Sequence, residues 1–79
     1  MWHVYLLSCS DGTLYCGMSN NLQKKLSTHN SGKGARYTRA RLPVFLVYSE
    51  EVGSLSEAMI REHAIKKLTR MQKFALINS

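Results

Sequence analysis

Two tyrosines stand ten residues apart near the start of the chain, Tyr5 behind Val4 and Tyr15 ahead of Cys16-Gly17. Each sits in a short apolar run, with Ser10-Asp11-Gly12 between them as turn chemistry. A hairpin built this way presents two phenols and a bare glycine backbone. A free phenol titrates near 10 and is a poor base at pH 7. Downstream lie Lys24 and Lys25, then His29, four residues after Lys25 and on the same helix face. Lys33, Arg36, Arg39 and Arg41 follow around Tyr37, whose ring could stack on a base or sugar. Glu62 is flanked by Arg61 and Lys66, and on residue types alone its partner is Lys66 at i, i+4.

Charge points the same way. Eleven Lys and Arg against five acids leave the 79-residue chain at +6, which favours a polyanionic partner. The length allows one domain, with a small core and no room for a deep cofactor cleft beside a separate substrate domain. Cys9 and Cys16 make no disulfide framework and lack zinc spacing. They read as small apolar fillers of a reduced interior. No apolar run reaches the length of a membrane span, and Met1-Trp2-His3 lacks the basic start of a signal peptide. The expectation is a cytoplasmic protein with no membrane contact.

The elements that must position these residues follow from pattern. Trp2 to Leu7 and Leu14 to Met18 are β-prone. A two-residue Asp11-Gly12 loop would put Tyr5 and Tyr15 on opposite faces. A three-residue loop with Gly12 left-handed pairs Leu7 with Tyr15 and Tyr5 with Gly17. Tyr5, Leu7, Tyr15 and Gly17 then share one face, and Val4, Leu6, Cys16 and Met18 share the other. That segregation favours the second register. Ser19-Asn20-Asn21 reads as an N-cap cluster for a helix from Asn21 to Asn30, with Leu22 and Leu26 buried. Lys33 to Leu42 reads as a polar loop. Pro43 opens a third strand, Val44 to Tyr48, whose continuous apolar run suits a central or well-covered position, with the Tyr48 hydroxyl on the rim. Glu50 to Gly53 leaves the sheet. Ser54 or Ser56 caps a helix from about Glu57 to Leu68, with Ala58, Met59, Glu62 and Ile65 at helical spacing, and Glu57 favours its dipole. Thr69 caps a last helix, Arg70 to Ile77. His3 and His63 read as surface or half-buried. The fold class is α/β (α+β), one compact domain over residues 1–79, with a three-stranded antiparallel sheet flanked by helices in the order β-β-α-β-α-α.

Val4-Tyr5 and Leu14-Tyr15-Cys16-Gly17 resemble the two halves of the GIY-YIG nuclease motif, with Trp2-His3 in place of the glycine that begins its name. The train that follows adds to the likeness. Asn21-Leu22-Gln23-Lys24-Lys25-Leu26 and His29-Asn30 resemble the family's first helix. Gly32 to Arg39 resembles the loop of its small stand-alone bacterial members. Val47-Tyr48 matches the third strand, and Ser56 to Leu68 the helix that carries the metal carboxylate. The resemblance runs from about Val4 to Lys73.

The resemblance implies metal-dependent hydrolysis of phosphodiester bonds by a cytoplasmic endonuclease, with DNA ahead of RNA as substrate and DNA repair as a setting. Tyr15 would activate the attacking water. Tyr5 would orient water or a phosphate oxygen, Gly17 would leave room for close approach, and His29 would assist proton transfer. Glu62 would hold one Mg²⁺ or Mn²⁺, with waters completing the shell. Lys33, Arg36, Tyr37, Arg39 and Arg41 would hold the nucleic acid. Lys25 stands where the family strongly prefers arginine. Lysine keeps the charge and loses the planar fork, and the loss of one transition-state donor is typically worth about 2.7–4 kcal/mol, roughly 10²–10³ in rate. Lys24 points about 100° away around the helix. The alternatives are therefore a weakened nuclease, a nucleic-acid-binding module of the same fold, and a small protein-binding adaptor whose charge serves solubility. The expected state is a monomer or weak dimer.

Overall fold

The computed structural model describes residues 1–79. The elements are β1 (Trp2–Ser8), β2 (Leu14–Ser19), α1 (Leu22–Thr28), a π-turn (His29–Lys33), α2 (Arg36–Arg39), β3 (Phe45–Val52), α3 (Leu55–Lys66) and α4 (Arg70–Ile77). The sheet is antiparallel in the order β2-β1-β3.

The β1–β2 hairpin has the three-residue register. Gly12 is left-handed at φ 84°, and Cys9 N–H donates to the Thr13 carbonyl at 2.9 Å. Asp11 braces the turn by accepting from both the N–H and the hydroxyl of Thr13. Tyr5 therefore faces Gly17, and Leu7 faces Tyr15. The alternation of β1 feeds two cores. Val4 and Leu6 pack with Cys16, Ala58 and Ile65 under α3. Tyr5 and Leu7 pack with Cys9 and Val44, against Tyr15, Leu22, Leu26 and Leu42. Both cysteines are free and buried.

Four expectations are corrected. The central strand is β1, not β3. The apolar run of β3 is continuous because the β1–β3 register shifts between Leu6 and Leu7, so Leu6 faces Tyr48 while Leu7 faces Leu46. The extra residue, Val47, packs with its neighbour Tyr48 on the same core, and Phe45 and Leu46 stay exposed. Second, the strand continues through Glu50 to Val52, pairing Glu51 with His3. Third, the expected loop after Lys33 contains the helical turn α2, and the first helix ends at Thr28 in a π-turn. Fourth, α3 begins at Leu55, because the Ser54 hydroxyl accepts from Glu57 N–H, and this frame leaves Met59 exposed. Helix α4 starts at Arg70 as expected, closed by a Thr69–Gln72 capping box. No helix is long and apolar enough to cross a membrane.

Candidate active site

The site is built on the face of the hairpin that carries the two phenols. Tyr5 is 1% exposed, and its ring lies across Gly17 of the neighbouring strand. A Cβ at position 17 would collide with the Tyr5 hydroxyl and sit 2.6 Å from its Cζ. The glycine thus makes room for the phenol itself. From there the Tyr5 hydroxyl reaches His29 Nε2 at 3.1 Å.

His29 comes from the π-turn, where helix α1 widens and the chain swings back toward the sheet. Such turns commonly occur at functional sites. Asn21 caps α1 through Lys24 N–H. At the other end, Asn30 pairs with both backbone groups of Val44, donating to its carbonyl at 3.0 Å and accepting from its N–H at 2.9 Å. Gly32 takes φ 81° to let the chain turn. Gly34 passes so close that a Cβ there would meet His29 Cα at 2.8 Å and Cγ at 2.9 Å. The imidazole is 1% exposed, and its Nδ1 lies 2.8 Å from the hydroxyl of Thr38, itself fully buried on α2. Burial, followed by the charge of Lys25, holds the His29 pKa below the ordinary histidine range, so the ring is neutral at pH 7.

Tyr15 is half-buried beside this relay. Its ring meets His29 edge-on at 5.5 Å and stacks on Tyr37 at 5.9 Å. Burial raises its pKa; Lys66 pulls it down and Glu62 pushes it up. Burial likewise drives Tyr5 far up, with Tyr15, Cys16 and Glu62 adding to the push. Glu62 stands on α3, the helix that packs under the opposite face, where its backbone carbonyl lies 3.9 Å from Cys16 Sγ. The Glu62 carboxylate pairs with Lys66 at 3.4 Å, the i, i+4 partner its sequence neighbours suggest.

The basic residues divide into two sets. Lys33, Arg36 and Arg39 are exposed. Arg41 is engaged: its Nε donates to Asp11 at 2.9 Å, its Nη1 to the Tyr37 carbonyl, and its guanidinium lies 3.8 Å from the Tyr37 ring centroid. The Tyr37 hydroxyl donates to Thr13. Arg41 therefore clasps α2 to the hairpin. Lys25 lines an open depression of about 290 Å³ with Ser19, Asn20, Asn21, Lys24 and Thr28. Thr38, Gly34 and Asn30 were not singled out by sequence reasoning. Only the fold shows their partners, which for Thr38 and Asn30 lie nine and fourteen residues away.

The GIY-YIG catalytic domain matches residues 1–75 of this chain. The chain belongs to the GIY-YIG family. Its relatives are small proteins of similar length. It is 53% identical over 76 residues to a UPF0213 protein of Halobacterium salinarum, covering 96% of this chain and 99% of that one. It is 54% identical over 79 residues to a UPF0213 protein of Clostridium perfringens, covering 100% and 85%. The solution NMR structure of a UPF0213 protein from Bacillus halodurans superposes with a TM-score of 0.63 at 40% identity, covering 99% of this chain and 84% of that one. The fold is therefore that of a nuclease family, and in this GIY-YIG domain the two halves of the name-giving motif meet through Tyr5 and Gly17.

Proposed function

We propose that the protein is a divalent-metal-dependent endonuclease acting on DNA. One observation carries the reading: two phenols and a neutral buried histidine meet on one face of the β1–β2 hairpin, where Tyr5 bonds His29 and the Tyr15 ring packs edge-on against it, with Glu62 on the helix packed against the same two strands.

The donor set suits one kind of ion. No three His, Cys, Asp or Glu side chains cluster as a metal cage. A single half-buried carboxylate fits Mg²⁺ or Mn²⁺, which keep several waters and take one or two carboxylates, and does not fit zinc. Held at Glu62, such an ion would neutralise charge on the phosphate and the leaving oxygen. The chain's own residues do the rest. With the Glu62 charge neutralised, its upward push on the Tyr15 phenol would be lost, while burial still raises that pKa and Lys66 still lowers it. Tyr37 and His29 hold the Tyr15 ring from two sides. Lys25 supplies positive charge to the phosphate, and Lys33, Arg36 and Arg39 hold flanking phosphates. Contacts of this kind position a duplex without reading sequence.

Lys25 supports a second reading, a nucleic-acid-binding module of the same fold, because a point charge replaces a bidentate fork at the phosphate. A panel of labelled DNA and RNA substrates incubated with Mn²⁺, with and without chelator, separates the two. The nuclease cuts DNA and stops in chelator while binding persists. A chain that binds with salt sensitivity and cuts nothing is the module.

A further inference from the structure

We infer that Thr38 is a positioning residue that fixes the His29 imidazole with its proton on Nδ1, so that Tyr5 donates its hydroxyl proton to the bare Nε2. The direction of each bond follows from the far end of the chain of contacts. The Thr38 hydroxyl lies 2.9 Å from the Ala35 carbonyl, which can only accept. A threonine hydroxyl has one proton, and it goes there. Toward His29, 2.8 Å away, the same oxygen can only accept, so Nδ1 carries the proton. The ring is neutral, in keeping with its burial and the nearby Lys25 charge, so Nε2 holds a lone pair. The Tyr5 hydroxyl at 3.1 Å must then be the donor.

The Ala35 carbonyl that ends the chain is itself fixed by α2, where it also accepts from Arg39 N–H at 3.0 Å. Tyr5, His29 and Thr38 are all buried, so no water competes for these bonds. The opposite tautomer would put a proton on Nε2 and turn the Tyr5 hydroxyl proton away from the histidine. Thr38, which touches no reacting atom, thus sets the polarity of Tyr5. On the nuclease reading proposed above, on which only the catalytic consequence rests, this polarity fixes the buried Tyr5–His29 pair against which the Tyr15 ring packs.

The test is ¹⁵N NMR of the imidazole nitrogens in the intact protein at about pH 7.5, beside Thr38→Ser and Thr38→Val. The parent and Thr38→Ser should show His29 as a single Nδ1–H tautomer, and Thr38→Val a mixture or the Nε2–H form. A parent with Nε2–H overturns the inference, and this measurement needs no variant to fold. Thr38→Val with an undisturbed Nδ1–H tautomer also overturns it. In cleavage, kcat should fall about tenfold or more in Thr38→Val with KM unchanged, and recover in Thr38→Ser. A changed tautomer with undiminished kcat overturns the positioning role. If the parent cuts nothing, the nuclease reading fails, and the NMR result still decides the tautomer.

Discussion

Replacing Gly17 by alanine puts one methyl group where the Tyr5 ring already lies. The added carbon would be 2.6 Å from Tyr5 Cζ and 3.1 Å from Cε1, and it would overlap the hydroxyl. The ring has no free direction in which to retreat. It is 1% exposed, it packs with Leu7, Cys9 and Val44, and His29 holds its hydroxyl at 3.1 Å. Overpacking of this kind costs about 1–3 kcal/mol. In a domain of this length each kcal/mol moves the thermal midpoint by about 4–8 °C, so the midpoint should fall on the order of 10 °C. The assay is thermal unfolding of a four-member cycle: parent, Gly17→Ala, Tyr5→Leu and the double variant. Leucine is shorter than the phenol and vacates the disputed space. Gly17→Ala should therefore cost at least about 1 kcal/mol less in the Tyr5→Leu background than in the parent. Gly12→Ala is the contrast. No atom lies within 4 Å of its added carbon, its penalty is the left-handed φ of 84°, and Tyr5→Leu should not relieve it. Additive costs for Gly17→Ala and Tyr5→Leu would show that the Tyr5 ring is not what excludes a side chain at position 17.

Gly34→Ala should displace His29, since its added carbon meets Cα and Cγ of that residue; an altered His29 imidazole signal with lower stability checks this. Acidification should destabilise the fold through His29, whose folded pKa is depressed by burial and then by Lys25. The stabilisation is complete above the unfolded value of about 6.5 and is lost as the pH falls through the folded value. Thermal midpoints from about pH 7.5 to 5.5 should decline less steeply in His29→Gln than in the parent. Lys25→Arg should raise cleavage by as much as roughly 10²–10³-fold, as measured by single-turnover rates. Arg36→Ala and Arg39→Ala should each reduce the slope of log K against log salt by about 0.9, while Arg41→Ala, whose guanidinium is held by Asp11 and Tyr37, should leave it unchanged.

The hairpin was fully legible in the sequence. Gly12 at the end of a turn triplet, and apolar residues that segregate in only one register, specify the pairing of Tyr5 with Gly17. The N-caps at Asn21 and Thr69 were legible for the same local reason, a side-chain acceptor before a helical run. What escaped depends on partners distant in sequence. The bulge at Val47 lets two successive residues face one core, which imitates the apolar run of a central strand. The π-turn is held by Asn30 on the backbone of Val44, a contact with no local signature. The role of Gly17 was readable as a need for space, but not what fills that space. Thr38 looked like one more polar residue in a basic loop, and its hydroxyl became meaningful only when the turn brought His29 against it.

In the proposed nuclease, the phenol of Tyr15 and the carboxylate of Glu62 work together on a phosphodiester. The most direct measurement is the single-turnover cleavage rate in Mn²⁺ of the parent, Tyr15→Phe and Glu62→Ala, with DNA affinity measured alongside. The parent should cut, both variants should lose cleavage by at least about 10², and both should still bind DNA. Cleavage at the parent rate in either variant would contradict that joint role.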